Sequence, residues 1–153
     1  MRIVIQRVTT AKVEVNQRLI SEIGHGLLVL LGVKENDNDE DVKYLAEKTV
    51  NLRIFEDKNG KMNLSVRDTG GSILIVSQFT LYADTKRGRR PCFSEASRPS
   101  VAEELYLRFI NTVSEYNVPV ASGQFGAMMD VSLVNGGPVT IIIDSKQAVE
   151  KGA

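Results

Sequence analysis

The segment Ser72-Ile73-Leu74-Ile75-Val76 is apolar at almost every position. A strand with one face in water alternates apolar and polar residues, whereas a nearly continuous apolar run is typical of a strand covered on both faces. The next eight residues, Ser77-Gln78-Phe79-Thr80-Leu81-Tyr82-Ala83-Asp84, add hydroxyl and amide groups that a buried strand does not need. This pattern predicts a strand over about residues 72 to 81 that runs into a functional site.

A basic loop follows this predicted strand. It contains four cations within five residues, Lys86, Arg87, Arg89 and Arg90, interrupted only by Gly88. Most such runs are solvated surface charge, but cations beside a polar strand end also suit the phosphates of a substrate such as RNA. Spacing alone leaves surface charge and phosphate contact equally open, because charge has no sequence code of its own.

The rest of the chain reads as strands with two helices, which predicts one mixed α and β domain, rich in antiparallel strands, with both helices packed on the sheet. The first helix follows Asp37-Asn38-Asp39, and the second begins near Ser100, which has capping-box spacing to Glu103. Asn59-Gly60 predicts a tight turn. We expect the domain to span residues 1 to 145, followed by a polar tail over 146 to 153. Strands are expected at about residues 2 to 8, 11 to 16, 18 to 23, 27 to 33, 72 to 81, 118 to 123, 128 to 134 and 139 to 144.

Composition limits the class of protein. With 153 residues and 42% hydrophobic content, the chain can bury one core, and its net charge of zero means that any attraction to nucleic acid must come from local patches. No apolar run approaches the ~20 residues that span a bilayer, and the N-terminus alternates like a strand rather than a signal peptide. The single cysteine, Cys92, fits a reducing compartment. A cytoplasmic location without membrane attachment is therefore expected.

The scarcity of catalytic side chains narrows the chemistry further. The one histidine, His25, lies between Gly24 and Gly26 in a predicted turn, where a triad role is less favoured than an incidental one. One His and one Cys cannot supply a zinc site. The acidic cluster Asp37, Asp39, Glu40 and Asp41 is interpreted as a solvated helix N-terminus rather than a metal site. No metal or other cofactor is expected.

Several segments together give the chain a family resemblance. The sequence resembles the D-aminoacyl-tRNA deacylases, editing enzymes that hydrolyse the ester joining a D-amino acid to tRNA. The resemblance implies a barrel-like core with two helices packed on one side, and one departure is Gly136, where family members commonly carry Asp. The matching segments are Met1-Arg2-Ile3-Val4-Ile5-Gln6-Arg7-Val8, Asn51-Leu52-Arg53-Ile54-Phe55, residues 77 to 84, Phe125-Gly126-Ala127-Met128-Met129 and residues 135 to 140.

The resemblance also implies roles for particular residues. It places the ester carbonyl and ribose of the terminal adenosine near Ser77, Gln78, Phe79 and Thr80, and it makes Phe125 and Met129 candidates for the adenosine pocket. A cis Gly137-Pro138 bond, steadied by Arg7, would enter the active site of the partner subunit in a homodimer and exclude L side chains. The less specific interpretations are a hairpin turn of Gly and Pro, a surface arginine and ordinary core packing.

Two mechanisms and three functions stay open at this stage. Hydrolysis assisted by backbone N–H groups and by the neighbouring ribose hydroxyl is favoured over a Thr80 acyl-enzyme, because no general base for Thr80 is evident. A non-catalytic nucleic-acid-binding protein is the main alternative to an editing esterase, and a generic small-molecule esterase is the third. Exclusion by the turn predicts that glycyl-tRNA is hydrolysed together with D-aminoacyl-tRNA.

Overall fold

The sheet and helices are described over residues 1–146 of the computed structural model. Six strands form one sheet in the order β2-β1-β3-β6-β7, with β8 paired to β1, while β4 and β5 form a separate small hairpin. The sheet nearly closes on itself, so the expected mixed class with a barrel-like core and two helices is confirmed. The elements are β1 (Arg2–Val15), β2 (Arg18–Ile23), β3 (Gly26–Gly32), α1 (Asp39–Asn51), β4 (Phe55–Glu56), β5 (Met62–Leu64), β6 (Ser72–Ser77), a 3₁₀ turn (Phe79–Tyr82), α2 (Pro99–Ser114), β7 (Val120–Ser122) and β8 (Asp130–Asp144).

β6 is covered on both faces, as its apolar sequence predicts. Ile73 and Ile75 face the core cluster that the helices cover. Leu74 and Val76 face a second cluster on the other side of the sheet. Full burial of an Ile or Leu side chain stabilises the fold by about 1.5–3 kcal/mol, so β6 and its parallel neighbour β3 form a rigid centre. The end of β6 is therefore a firm support for a functional site.

The first helix begins as the sequence predicts. The Asn38 side chain accepts a hydrogen bond from the Glu40 amide at 2.9 Å, and Asp41 accepts one from the Asn38 amide, which completes a capping box. The sequence predicts a buried stripe on this helix, formed by Val42, Leu45, Ala46, Thr49 and Leu52. All of these residues are buried except Leu52, which lies just past the helix end and is half-buried. Val50 is buried instead.

The second helix begins one residue earlier than expected, and its expected capping box is absent. Pro99 is the first helical residue and Arg98 is the N-cap, with no side-chain hydrogen bond to cap it. Proline favours the first helical position because it lacks an amide donor that would otherwise need a partner, so the helix starts before Ser100 can act as its cap. The sequence predicts an apolar stripe of Val101, Leu105, Phe109 and Val113 on this helix. Val101 is half-buried, the other three are buried, and Tyr106 joins them in the core.

Two pairs of predicted strands are each one continuous strand in the structure. The expected strands 2 to 8 and 11 to 16 form the single strand β1, and the expected strands 128 to 134 and 139 to 144 form the single strand β8. β1 pairs with β8 along most of both strands, so local irregularities in either one are bridged by the pairing on each side. The Asn59-Gly60 turn is confirmed: Gly60 has φ +71° in the loop between β4 and β5.

The acidic cluster before α1 is only half solvated, contrary to expectation. Asp39 and Glu40 are exposed, but Asp37 and Asp41 are buried. Asp37 lies 2.8 Å from the Met1 ammonium group, and Asp41 accepts a hydrogen bond from the Ser145 hydroxyl at 2.6 Å. Burial raises the pKa of Asp41, but hydrogen bonds from Ser145 and the Asn38 amide outweigh burial and leave the pKa below its ordinary value. These carboxylates join α1 to the ends of β1 and β8.

The structure describes only the first residue, Lys146, of the polar tail expected over 146 to 153. Residues 147 to 153 lie outside the described part of the chain. Lys146 donates a hydrogen bond to the carbonyl oxygen of Asn36 at 2.9 Å, so this first tail residue lies against the loop before α1. Among residues 1–146, no helix is long and apolar enough to cross a membrane.

Candidate active site

The candidate site begins where β6 ends. Ser77 pairs with Leu31 of β3, and the Gln78 amide donates to the Leu31 carbonyl oxygen at 2.8 Å. The chain then leaves the sheet as the 3₁₀ turn, so the predicted strand over residues 72 to 81 is wrong beyond Ser77. Gly32 permits this turn, because a Cβ atom there would lie 3.1 Å from Leu81 Cβ and 3.2 Å from the Gln78 carbonyl oxygen. The turn is thus packed directly on the central strands.

Two consecutive backbone N–H groups at this turn are available to a ligand. Leu81 and Ala83 donate to the carbonyl oxygens of Gln78 and Thr80, at 3.2 and 3.1 Å. The N–H groups of Phe79 and Thr80, in contrast, have no acceptor among residues 1–146. Backbone donors are almost always paired in folded proteins, with protein groups, water or ligands. This pair of donors can therefore bind an oxygen atom of a bound molecule.

The Thr80 hydroxyl has a neutral partner. Its oxygen accepts a hydrogen bond from the Gln78 side-chain amide. Within the described chain, no carboxylate, histidine or lysine hydrogen-bonds to this hydroxyl. A hydroxyl needs an adjacent base to become a strong nucleophile, and an amide cannot supply one. The arrangement fits a positioning role better than covalent catalysis.

A cleft of about 700 Å³ opens beside the end of β6, and we call it the strand-end cleft. Of the residues expected in the site, Ser77, Gln78, Phe79, Phe125 and Met129 line it, whereas Thr80 does not. Most of the remaining wall is apolar, which suits an aromatic ring with polar groups at one end. The remaining lining residues include Leu31, Val33, Val76, Phe93, Ala96, Ser97, Arg98, Pro99, Ala102, Gly126, Ala127, Met128 and Val131.

Three residues that line the strand-end cleft, Phe93, Arg98 and Met128, are not predicted from the sequence as site residues. The Phe93 ring packs edge-on against Phe79 at a centroid distance of 5.1 Å. Arg98 brings a cation to the wall, and Met128 is 91% exposed. Met128 lies inside the segment that resembles the family, so that segment could have identified it. Phe93 and Arg98 have no distinguishing signal, because their place depends on how the chain before α2 folds over the sheet.

The basic loop is closed at its base. The backbones of Asp84 and Cys92 exchange two hydrogen bonds, at 2.7 and 2.9 Å. The Lys86 amide also donates to the Asp84 side chain at 2.9 Å. The four cations of the loop, Lys86, Arg87, Arg89 and Arg90, are exposed and lie outside the strand-end cleft. Since the loop starts just after the 3₁₀ turn and ends just before Phe93, it borders that cleft.

The Gly-Pro segment is a bulge within the single strand β8, so the less specific interpretation as a hairpin turn does not hold. Asn135 pairs with Val8 and Thr140 pairs with Gln6, so four residues of β8 lie opposite the single residue Arg7. The Gly137-Pro138 peptide bond is cis. Arg7 Nε donates to the Gly136 carbonyl oxygen at 2.8 Å, and Arg7 Nη1 donates to the Ile54 carbonyl oxygen at 2.8 Å. Arg7 thus holds the carbonyl group next to the Gly137-Pro138 bond.

A second side chain, not predicted from the sequence, holds the bulge from within. Asn135 Oδ1 accepts from the Val139 amide at 2.7 Å, and Asn135 Nδ2 donates to the Val139 carbonyl oxygen at 3.1 Å. Gly137 has φ +140°, and a Cβ atom there would lie 2.9 Å from Arg7 Nη2 and from Val139 Cγ2. Glycine is therefore required by the bulge's own contacts.

The bulge and the strand-end cleft lie at opposite ends of β3 within one chain. Arg7 pairs with Leu27 near the start of β3, whereas Ser77 pairs with Leu31 near its end. Four residues of strand correspond to about 13 Å. Arg7 and Gly136 line a different cleft of about 320 Å³, together with Thr9, His25, Phe55 and others. One chain alone does not bring Arg7, Gly137 and Pro138 to Ser77–Thr80.

The described residues contain neither a metal-binding cluster nor a catalytic triad around His25. No group of three or more His, Cys, Asp or Glu side chains is placed to hold a metal ion there. His25 is exposed, and its ring lies 4.9 Å from that of Phe55, at the end of the molecule away from the strand-end cleft. Cys92 is exposed, and hydrogen bonding with Ser94 lowers the pKa of its thiol.

Comparisons with known proteins agree with the geometry. The family model described as D-Tyr-tRNA(Tyr) deacylase matches residues 4–144. A D-aminoacyl-tRNA deacylase of Thermosipho africanus is 60% identical over 147 residues, covering 96% of this chain and 99% of that protein. A D-aminoacyl-tRNA deacylase of Bacillus licheniformis is 58% identical, covering 95% and 99%. The solved c-Myc DNA unwinding element binding protein is 41% identical with a TM-score of 0.89, covering 94% and 98%.

Proposed function

Because the chain belongs to the D-Tyr-tRNA(Tyr) deacylase family, we propose that it hydrolyses the ester bond of D-aminoacyl-tRNA to a free D-amino acid and tRNA. The observation that supports this most directly is the pair of N–H groups of Phe79 and Thr80 beside the strand-end cleft, which have no acceptor among residues 1–146. An ester carbonyl oxygen gains negative charge when water attacks its carbon. Two fixed donors stabilise that charge in the transition state.

The chemistry needs little from side chains. Water adds to the ester carbonyl carbon, and the tetrahedral intermediate then breaks the bond to the ribose oxygen, which leaves with a proton. The ribose hydroxyl next to the ester can hydrogen-bond to the departing oxygen, so the substrate assists its own hydrolysis. The protein's task is then to position the ester and stabilise the oxyanion, and loss of one such donor typically costs a factor of 10² to 10³ in rate.

In this mechanism, Thr80 acts through its backbone, and its hydroxyl orders the turn. The hydrogen bond between the Gln78 amide and the Thr80 hydroxyl ties residue 78 to residue 80, on either side of the Phe79 donor. Phe125 and Met129 on the opposite wall of the strand-end cleft would hold the adenine ring of the terminal adenosine. The exposed cations Lys86, Arg87, Arg89 and Arg90 would contact tRNA phosphates at the rim.

Chirality is tested by a second copy of the chain. We propose a homodimer in which the Gly137-Pro138 bulge of one subunit enters the strand-end cleft of the other. The support is geometric: the bulge protrudes at one end of β3 and the cleft opens at the other, so only another chain can join them. An L side chain would collide with the bulge, whereas a D side chain would point away. Glycine has no side chain, so glycyl-tRNA would also be hydrolysed.

A second candidate function is nucleic-acid binding without catalysis. It is favoured by one similar solved structure, that of the c-Myc DNA unwinding element binding protein. The exposed basic loop would serve such binding as well as it serves tRNA. The two functions differ in chemistry, because only the deacylase releases an amino acid. On the same ground we propose a cytoplasmic location, because aminoacyl-tRNA is used by ribosomes in the cytoplasm.

Release of a labelled amino acid tests the proposed function. Purified protein is incubated with D-aminoacyl-tRNA, with a D-amino acid ethyl ester and with a DNA duplex. We expect rapid release from the tRNA ester and little release from the ethyl ester, because the latter offers neither a ribose hydroxyl nor an adenosine. Binding of tRNA or DNA without release favours the second candidate. Equal turnover of both esters would identify a generic esterase.

A further inference from the structure

A third cleft, outside both regions described above, has the chemistry of a phosphate site. It has a volume of about 880 Å³ and we call it the arginine cleft. It lies between the C-terminal end of α1, β5, the turn before β6 and the segment after α2. Its lining residues are Asn51, Arg53, Asn63, Ser65, Arg67, Asp68, Tyr116 and Asn117.

The two arginines of this cleft are held in place with donors to spare. Arg53 Nε donates to the Asn63 carbonyl oxygen at 2.9 Å, and no hydrogen bond involves its two NH₂ groups among residues 1–146. Arg67 Nη1 donates to the Asn51 side chain at 3.3 Å, and its guanidinium lies 5.7 Å from the centre of the Tyr116 ring. Cation–π contact and these hydrogen bonds preorganise both groups.

Neither arginine is neutralised by a salt bridge. Within the described chain, no carboxylate oxygen lies within 4.0 Å of a guanidinium nitrogen of Arg53 or Arg67. The nearby carboxylate of Asp68 is occupied instead by the Ser65 amide and hydroxyl, at 2.8 and 3.0 Å. Hydrogen bonds from Ser65 lower the pKa of Asp68, and the nearby charges of Arg67 and Arg53 lower it further, so this carboxylate offsets the two arginines in part. Each guanidinium still has N–H groups without an acceptor among residues 1–146. Together with the amide side chains around them, these donors match the oxygens of phosphate groups.

The position of the arginine cleft indicates which phosphates it would bind. Arg53 is adjacent to Ile54, whose carbonyl oxygen accepts a hydrogen bond from Arg7, the residue that holds the Gly137-Pro138 bulge. Asp68 of the arginine cleft is likewise adjacent to Thr69, which lines the cleft beneath the bulge. The arginine cleft thus lies at the end of the chain that carries the bulge. In the proposed dimer, that end faces the partner's strand-end cleft.

We propose that Arg53 and Arg67 bind backbone phosphates of the tRNA whose aminoacyl end occupies the partner subunit's strand-end cleft. This inference rests on the proposed function and names a second contact with the same substrate. Each subunit would then supply both the bulge and a phosphate clamp to its partner's substrate. The contact acts on tRNA binding and leaves the chemical step unchanged.

The test compares two substrates in the double variant Arg53→Gln/Arg67→Gln. D-aminoacyl-tRNA contains the phosphates, whereas D-aminoacyl-adenosine does not. We expect KM for the tRNA to rise at least several-fold with kcat unchanged, and no change with the adenosine ester. The slope of log K against log salt concentration should fall by about 1 to 2, for two lost phosphate contacts. Lys43→Gln/Lys48→Gln on α1 is the control, with the same charge change at exposed positions outside the clefts.

Several results would overturn the inference. The C-terminal ends of α1 and α2 also lie near this cleft, so the arginines could serve only to offset helix dipoles. In that case the double variant would lose thermal stability while KM and the salt slope matched the control. Loss of inorganic phosphate binding by calorimetry, with tRNA binding retained, would assign the cleft to a small phosphate ligand. Equal damage with D-aminoacyl-adenosine would show that the arginines act on the chemistry.

The failure of the proposed function is distinguishable from the failure of this inference. If the unaltered protein releases no amino acid, yet binds tRNA with a salt slope that depends on Arg53 and Arg67, the deacylase proposal fails and the phosphate cleft stands as part of a binding protein. If the unaltered protein deacylates D-aminoacyl-tRNA and the double variant equals the control, only the cleft inference fails.

Discussion

At the scale of single residues, the proposed mechanism uses the backbone of Thr80 rather than its side chain. The hydroxyl is paired with the Gln78 amide, while the N–H groups of Phe79 and Thr80 have no acceptor within residues 1–146. A neutral hydroxyl without a base is a weak nucleophile, whereas two adjacent donors can stabilise an oxyanion at once. In the proposed mechanism, the main catalytic groups are therefore backbone N–H groups.

Two substitutions at one position separate these roles. Thr80→Ala removes the hydroxyl and keeps the N–H, so we expect a fall in kcat of about tenfold or less. Thr80→Pro removes the N–H, so we expect a loss of about 10² to 10³ in kcat. Single-turnover rates with D-aminoacyl-tRNA measure both effects, and circular dichroism checks that each variant is folded. Complete inactivity of Thr80→Ala, with an acyl-Thr80 species trapped in the native enzyme, would contradict this assignment.

Sequence reasoning finds residues whose neighbours in the chain mark them, and misses those placed by tertiary packing. Ser77, Gln78 and Phe79 follow a buried strand, and the structure puts them in one cleft with Phe125 and Met129. The hydrogen bonds that fix the 3₁₀ turn and the bulge are not visible in the chain. Asn135 is an example, because its clamp on Val139 exists only when β8 bulges opposite Arg7.

At the scale of elements, β6 shows where local propensity is overruled. Phe79, Thr80, Leu81 and Tyr82 favour strands, which explains the prediction of a strand to residue 81. β7, however, pairs only with residues 73 to 75 of β6, and β3 ends at Gly32. No strand remains beyond Ser77 for the chain to pair with, so it turns away as a 3₁₀ helix. The 3₁₀ turn therefore forms because the strands beside β6 are short.

The basic loop gives a prediction at this scale. Its base is fixed by the Asp84–Cys92 pairing, so substitutions at its tip should leave the fold intact. The triple variant Arg87→Gln/Arg89→Gln/Arg90→Gln should bind tRNA more weakly and with a salt slope smaller by about 2 to 3. Filter binding of deacylated tRNA over a range of salt concentrations measures both quantities. An unchanged salt slope would show that the loop cations are ordinary surface charge and do not contact tRNA phosphates.

Helix α2 is tied to β6 by a hydrogen bond whose strength depends on pH. The Tyr106 hydroxyl donates to the Ile75 carbonyl oxygen at 2.9 Å, and burial raises the pKa of Tyr106 from 10.0 to about 12. The folded state thus favours the neutral phenol. Its contribution to stability is complete below pH 10.0 and is lost as the pH rises towards about 12.

Thermal unfolding across this pH range tests the Tyr106 contribution. Tyr106→Phe should unfold about 1 kcal/mol more easily near neutral pH, because a buried carbonyl loses its donor. Its free energy of unfolding should also fall less steeply than that of the native protein above pH 10.0. Tyr44→Phe, at a half-buried position on α1, is the matched control. Parallel curves for the native protein and Tyr106→Phe would contradict the expected coupling.

At the scale of the whole molecule, the separation of the bulge from the strand-end cleft is the main structural fact. Each chain has both parts at opposite ends of β3, so the proposed site, in which the bulge enters the strand-end cleft, needs two chains. From the sequence, a site shared between two chains is suggested only by the family resemblance. Neither the segment 77–80 nor Gly137-Pro138 shows in the sequence how far apart the two lie in the fold. The barrel-like fold, in contrast, follows largely from strand patterning, with errors confined to strand ends and to the continuity of β1 and β8.

The central claim is that the Gly137-Pro138 bulge excludes L side chains and nothing else. One preparation is therefore assayed with matched D-, L- and glycyl-tRNAs, and compared with the Gly136→Asp variant. Gly136 tolerates this change if Thr9 shifts slightly, because a Cβ atom there would lie 3.3 Å from Thr9 Cγ2. We predict hydrolysis of the D- and glycyl-tRNAs, survival of the L-aminoacyl-tRNA, and equal or stricter exclusion of L in the variant. Equal cleavage of D and L esters with glycyl-tRNA spared would contradict exclusion by the bulge.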